Sequence, residues 1–293
     1  MGEEKEIWTP LKIVQWAVPF LTQKGLPNAR FDAETLIAYA LGLDRLKVYL
    51  QFDRPLDPEE LSKIRELMKR RARHEPIQYI IGKKEFFGLP IKVSPSVLIP
   101  RPETELLVEK ALEYLKMVPE KDRLVLDLGT GSGCIGLSIV KSLDCRVWAV
   151  DISEKALEMA RENALSLGVE DRVEWRKGDW FSALLPTDPS QFCLVVSNPP
   201  YIANEEEAEL AKEIRDFEPR EALFAGNNGL SAYQSIAEHL LNSLKPGGKG
   251  LLEIHSGRLQ PISDLFHRGN KDKTFYRDLQ GLPRVLEINK GIS

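Results

Sequence analysis

Asn198, Pro199, Pro200 and Tyr201 follow the apolar run Phe192-Cys193-Leu194-Val195-Val196, with Ser197 between. Prolines donate no backbone hydrogen bond and hold φ fixed, so two in succession stop a strand and leave a stiff turn with open carbonyls. Flanked by an amide and an aromatic ring, such a turn suits a planar nitrogen that carries hydrogens, an amide or an exocyclic amine.

A second group lies upstream. Asp127-Leu128-Gly129-Thr130-Gly131-Ser132-Gly133 leaves one apolar run and enters a helical one. Alternating glycines let the backbone turn tightly and approach a ligand with no Cβ between. Gly131, Gly133 and Gly136, with Asp151 about 20 residues further on, also meet the dinucleotide fingerprint, so a nicotinamide oxidoreductase is a rival reading. Against it, Asp127 precedes the glycines, where an acid repels a pyrophosphate but can meet a cationic amino group. Asp151, at the end of the second strand, suits ribose hydroxyls, and Ile152 joins it in the expected cofactor site. Gly178-Asp179-Trp180 follows the third strand: Asp179 can accept from an exocyclic amine and Trp180 can cover a ring.

These groups need a scaffold that gathers strand ends. From about Arg101 the chain alternates apolar strands (124–128, 147–150, 173–175, 192–196, 250–254) with amphipathic helices, including 135–143, 154–167 and 232–244. That rhythm predicts a doubly wound α/β sheet, mostly parallel, with ligands at the carboxyl ends of its strands. Residues 275–278 and 284–288 read as a closing antiparallel pair. Upstream, 1–75 reads as a small helical domain, with apolar faces at Leu11, Val14, Ala17, Val18 and Leu21 and again at Ala33, Leu36, Ile37, Tyr39 and Ala40. Asp57-Pro58-Glu59-Glu60 is a helix start. Between them, 76–100 reads as a β-hairpin linker, with strand candidates at 78–81, 85–87 and 89–93. The catalytic domain is then 101–293, with 202–228 a candidate lid because it is long and strandless.

Composition narrows the class. A 43% hydrophobic, 29% charged chain of 293 residues can bury a full core. Its net charge of −4 argues against a nonspecific grip on nucleic acid. Lys69, Arg70, Arg71, Arg73 and His74 form the one dense basic cluster, either a solvated helix end or a binding patch. Cys134, Cys145 and Cys193 sit in apolar contexts without a CxxC pair, so no zinc site or disulfide framework is indicated, no metal is expected, and the expected compartment is the reducing cytoplasm. No apolar stretch approaches membrane-spanning length, so no membrane association is expected. His74, His239, His255 and His267 fall outside the motifs and are read as structural, and Glu205, Glu206, Glu207 and Glu209 as the acidic face of a solvated lid helix rather than as catalytic groups.

The ordered set of glycine loop, Asp151, Gly178-Asp179-Trp180 and Asn-Pro-Pro-Tyr resembles the S-adenosylmethionine-dependent methyltransferases that act on nitrogen. It most resembles the bacterial release-factor glutamine methyltransferases, the HemK or PrmC family. Glu75-Pro76-Ile77-Gln78-Tyr79-Ile80 and Leu98-Ile99-Pro100-Arg101-Pro102-Glu103-Thr104-Glu105 match that family's linker. Glu218-Pro219-Arg220, Ala222-Leu223, Gly229-Leu230, Asp278-Leu279-Gln280-Gly281 and Arg284-Val285 extend the match. Glu253-Ile254-His255-Ser256-Gly257 departs from it, since the family has glycine directly after Glu-Ile, and no role is assigned there.

The resemblance implies a class I methyltransferase-type sheet with the helical domain and hairpin linker in front. It implies S-adenosylmethionine as cofactor, S-adenosylhomocysteine as product, and the glutamine of the Gly-Gly-Gln tip of peptide-chain release factors as acceptor. The helical domain would help to recognise that protein, and the enzyme is expected to be a monomer without stable nucleic-acid binding. The expected cofactor residues are Asp127, Gly129, Thr130, Gly131, Ser132, Gly133, Asp151, Ile152, Asp179, Trp180, Asn198 and Arg101, although Arg101, beside Pro102 and Glu105, can equally serve as a surface ion-pair partner. Asn198 and Pro199 would accept the two amide hydrogens, Pro200 would stiffen the turn and Tyr201 would stack on the amide plane. Two alternatives from other classes stay open: a nucleic-acid amine methyltransferase, which needs a flipped base and a basic track, and a noncatalytic binding module, which leaves the Asn-Pro-Pro-Tyr turn without a task.

Overall fold

In a computed structural model of the protein, residues 7–185, 192–266 and 273–291 are described. The chain forms two compact units: the residues up to Gly82 with Ala211–Phe217, and Lys83–Leu210 with the residues from Glu218 onward.

The smaller unit contains α1 (Pro10–Gln23), α2 (Ala29–Leu41), α3 (Arg45–Leu50), α4 (Pro58–Arg71) and α5 (Ile77–Ile81). Its core joins Ala17 and Leu21 of α1 to Leu36 and Ile37 of α2 and to Ile64 and Met68 of α4. Gly42 ends α2 in the left-handed region, at φ 67°. At the start of α4 the Asp57 side chain accepts from the Glu60 amide at 2.8 Å, and Glu60 accepts in return from the Asp57 amide at 3.0 Å. Loss of such a cap costs about 1 kcal/mol. Asp57→Ala should therefore lower the unfolding free energy of the helical unit by that amount, measured by chemical denaturation. Arg70 and Arg71, from the basic cluster, are committed within this unit. Arg70 pairs with Glu75 at 2.5 Å, and the buried Arg71 pairs with Asp32 at 2.7 Å and with Glu213 at 2.9 Å. The last pair ties the 211–217 segment to the helices.

Residues 78–81 are helix, not strand as expected. Ile77–Ile81 follows Pro76 and is closed by Gly82 at φ 80°, burying Ile77, Tyr79 and Ile80. Their β-branched and aromatic character gives way to this packing.

The larger unit opens with the anticipated hairpin, β1 (Lys83–Phe86) and β2 (Leu89–Lys92). Phe87 and Gly88, both at positive φ, make its tight turn. Then come α6 (Glu105–Leu115), β3 (Leu124–Leu128), α7 (Cys134–Ser142), β4 (Arg146–Asp151), α8 (Glu154–Leu167), β5 (Val173–Lys177), β6 (Phe192–Ser197), β7 (Leu244–Glu253), β8 (Lys273–Arg277) and β9 (Pro283–Asn289). The sheet order is β5-β4-β3-β6-β7-β9-β8. Neighbours from β5 to β7 pair in parallel, while β9 pairs antiparallel with both β7 and β8, matching the expected mostly parallel, doubly wound sheet.

Every residue of β6 is buried, as a central strand covered on both faces requires. Helix Ser231–Ser243 covers one face through Tyr233, Ile236 and Leu240, which pack with Leu126, Leu128 and Val195. After β3 the chain winds outward through β4 and β5, then returns to the other side of β3 with β6. The reversal opens a crevice beyond the carboxyl ends of β3, β4 and β6.

The expected lid, 202–228, is not without structure. It holds short helical pieces at Asn204–Glu209, Lys212–Arg215 and Arg220–Leu223, and Ile202 pairs with Phe224 as an isolated bridge.

Candidate active site

The crevice holds a cleft of about 690 Å³, counted to its open mouth, lined by Gly129, Gly131, Asp151, Ile152, Trp180 and Asn198 among others. Asp179, Gly178 and Pro200 also line it. Strand ends bring these groups together: Gly129 and Gly131 follow β3, Asp151 ends β4, Asp179 follows β5 and Asn198 follows β6.

The loop after β3 is shaped from below. Asp127 is fully buried; its Oδ2 accepts from the Thr130 hydroxyl at 2.6 Å and from the Gly136 amide at 3.1 Å. A Cβ at position 136 would lie 2.9 Å from that same oxygen, so only glycine lets α7 begin this close to β3. Burial raises the Asp127 carboxyl to about 6 despite these two donors. From above, Asp151 accepts from the Gly131 amide at 2.8 Å and the Ser153 amide at 2.9 Å, pinning the loop to the end of β4. Asn163 of α8 closes the third side: its Nδ2 donates to the Ser132 carbonyl at 2.9 Å, and its Oδ1 accepts from the Lys92 amide at 2.7 Å. The linker hairpin is thereby attached to the glycine loop.

Asp127, Thr130, Ser132 and Gly133 therefore support the loop and do not line the cleft. Arg101 also lies outside the lining. It pairs with Glu218 at 2.6 Å, the ion-pair option left open by the sequence. Glu105 accepts from the Phe87 amide at 2.8 Å and so braces the hairpin turn.

Asn198 donates from Nδ2 to the Thr104 hydroxyl at 3.2 Å. With the amino end of its amide held there, Oδ1 is the end left to accept from a ligand. Tyr201 stacks on His255, ring centroids 5.4 Å apart, and Pro199 is buried beside it. Burial lowers the pKa of His255, and its Nδ1 accepts from the Gly257 amide, so it braces the tyrosine as a neutral ring. Sequence reasoning gives Thr104 no role and reads His255 as structural. Thr104 lies in a quoted motif, but its meeting with Asn198 follows only from the fold. His239 packs edge-on against Phe181 and fits its structural reading, while His267 lies outside the described residues. Glu206 accepts from the Ala203 amide and pairs with Arg258, and Glu207 pairs with Arg220. The acidic face is thus partly spent on structure. The three cysteines are buried and free.

The cleft fits a nucleoside cofactor of mixed polarity. Trp180, held at φ 48°, lies so close to Gly129 that a Cβ there would sit 3.4 Å from its ring. Ile152 is 58% exposed within the lining, so apolar wall and the Asp151 carboxylate face the same space. Below the loop and outside the cleft lining, Asp127 Oδ1 is buried without a hydrogen-bond partner.

Fold and site together define a class I S-adenosylmethionine-dependent methyltransferase. The PrmC N-terminal domain family matches residues 12–82, and the methyltransferase small domain family matches residues 103–219. The release factor glutamine methyltransferase of Geobacter sulfurreducens is 42% identical over 98% of both chains, and that of Rhodopirellula baltica is 37% identical over 97% of both. This chain belongs to the release factor glutamine methyltransferase family. Among solved structures, the hMettl16 catalytic domain in complex with a MAT2A 3′UTR hairpin is similar in fold, with a TM-score of 0.56 at 18% identity over 78% of this chain and 82% of that one.

Proposed function

We infer that this protein transfers a methyl group from S-adenosylmethionine to the side-chain amide nitrogen of the glutamine in the Gly-Gly-Gln motif of peptide-chain release factors. The observation that carries the reading is Asn198, tied through Nδ2 to Thr104 at the end of β6, in the same cleft as Gly129, Gly131 and Asp151.

An amide nitrogen is a weak nucleophile because its lone pair is delocalised into the carbonyl. Asn198 Oδ1 and the Pro199 carbonyl each accept one of its hydrogens, which fixes rotation about the C–N bond and directs the nitrogen into the cleft. Pro199 and Pro200 keep that acceptor rigid, and Tyr201, braced by His255, covers the amide plane. When bound, S-adenosylmethionine supplies an electrophilic methyl group on a sulfonium. Asp151 and Ile152 would hold its ribose side and Asp179 and Trp180 its ring side. Well-oriented reactants gain roughly 7–11 kcal/mol from positioning. The methyl–sulfur bond breaks to leave S-adenosylhomocysteine, and the proton leaves the methylated nitrogen afterwards, when it is acidic, so no dedicated base is needed.

The helical unit serves to recognise the release factor. The enzyme works in the cytoplasm as a monomer and without stable nucleic-acid binding, in keeping with its net charge of −4. No helix among the described residues is long and apolar enough to cross a membrane. Incubation with labelled cofactor, a release factor and, separately, RNA and DNA tests the reading. Label is expected on the release factor alone; label on nucleic acid alone contradicts it.

A further inference from the structure

Glu253 ends β7 and is buried, at 5% exposure, beside β6 in the register that pairs Leu252 with Ser197. It therefore lies across from the turn that begins at Asn198. Its backbone carbonyl is fixed by the Tyr233 hydroxyl at 2.8 Å, while its side chain lies beside Thr104 and its buried Oε2 has no hydrogen-bond partner. Thr104, 1% exposed, is the residue that receives Asn198 Nδ2. A buried acid in this position has no place in the mechanism above.

We propose that Glu253 is a positioning residue that acts through Thr104 to set which end of the Asn198 amide faces the acceptor glutamine. An ionised carboxylate can only accept, so the Thr104 hydroxyl spends its single proton on Glu253 and turns a lone pair toward Asn198. Only Nδ2 of Asn198 can satisfy that lone pair, and Oδ1 is left for the substrate. When Glu253 is protonated it can donate instead. The hydroxyl proton is then released to Asn198 Oδ1, and the flipped amide would present Nδ2 to a substrate nitrogen that also donates. This rests on the proposed function, since the cost of a flip arises only with an amide acceptor.

Charges around the carboxylate oppose one another. Glu103 favours its neutral form, Arg284 of β9 and Arg101 favour the charged form, and burial, the largest influence, raises the group to about 7. Because the ionised form sets the productive amide, the transfer rate should rise with pH through neutrality.

The experiment measures kcat for transfer to release factor across pH 6 to 9 in wild type, Glu253→Gln, Thr104→Val and Thr104→Ser, with cofactor affinity and thermal midpoints in parallel. Wild-type transfer to the factor's glutamine must be seen first; its absence counts against the proposed function, not this relay. With it in hand, Glu253→Gln and Thr104→Val should each lower kcat at pH 8 about tenfold, the worth of one hydrogen bond. Cofactor affinity should hold, the limb near neutrality should vanish in Glu253→Gln, and Thr104→Ser should retain wild-type rate. Should Glu253→Gln keep both the rate and the limb, or Thr104→Ser fall as far as Thr104→Val, the relay is overturned.

Discussion

Asn198→Ala protein is expected to bind S-adenosylmethionine nearly as tightly as the parent and to transfer methyl groups about 100- to 1,000-fold more slowly, the usual cost of removing one preorganised hydrogen-bonding group from a reacting centre. In the proposed mechanism the removed oxygen accepts a substrate hydrogen; in the structure Asn198 lines the cleft. Much of the proposed cofactor site, the glycine loop, Asp151 and Trp180, is untouched by the change. The change in cofactor affinity should stay below about threefold, under 1 kcal/mol. Calorimetric titration with the cofactor beside single-turnover transfer separates the two effects. A kcat within a few-fold of wild type would remove Asn198 from the chemistry.

The complementary variant is Asp151→Ala, expected to weaken cofactor affinity about 10- to 100-fold, the worth of hydrogen bonds to a charged group. Two losses combine here. The ligand loses the carboxylate expected to hold its ribose, and the Gly131 and Ser153 amides lose the acceptor that fixes the loop at 2.8 and 2.9 Å. At saturating cofactor the rate should recover most of its wild-type value, because the acceptor turn after β6 stays in place. Titration calorimetry with S-adenosylhomocysteine checks the first part and saturation kinetics the second. Unchanged affinity would leave Asp151 as a loop brace and nothing more.

Those two residues were legible in the sequence for a simple reason: each sits in a short local pattern at the end of an apolar strand. A strand that runs into two prolines, and glycines at alternate positions before a helix, announce their backbone geometry without reference to the rest of the fold. The hairpin at Lys83–Lys92 and the helix start at Asp57 were visible on the same terms. Residues 78–81 were misjudged because their strand-favouring side chains answer to a proline before them and a left-handed glycine after them. Arg101 could not be resolved from sequence, since its partner Glu218 lies 117 residues away. Thr104, Glu253 and His255 escaped for a related reason. Thr104 meets Asn198 across 94 residues, and Glu253 and His255 come to this turn only because β7 lies beside β6 in one particular register, which no local pattern states. The supporting role of Asp127 also needed the structure: the sequence showed an acid before the glycines, while the packing of Gly136 against it shows why the acid is buried.

The most direct test is fragment-ion mass spectrometry of a release factor incubated with the purified protein and S-adenosylmethionine. One added methyl group on the side chain of the Gly-Gly-Gln glutamine, absent when Asn198→Ala protein replaces the wild type, is the predicted result. A factor that stays unmodified at that glutamine, or a methyl group placed on another residue, would contradict it.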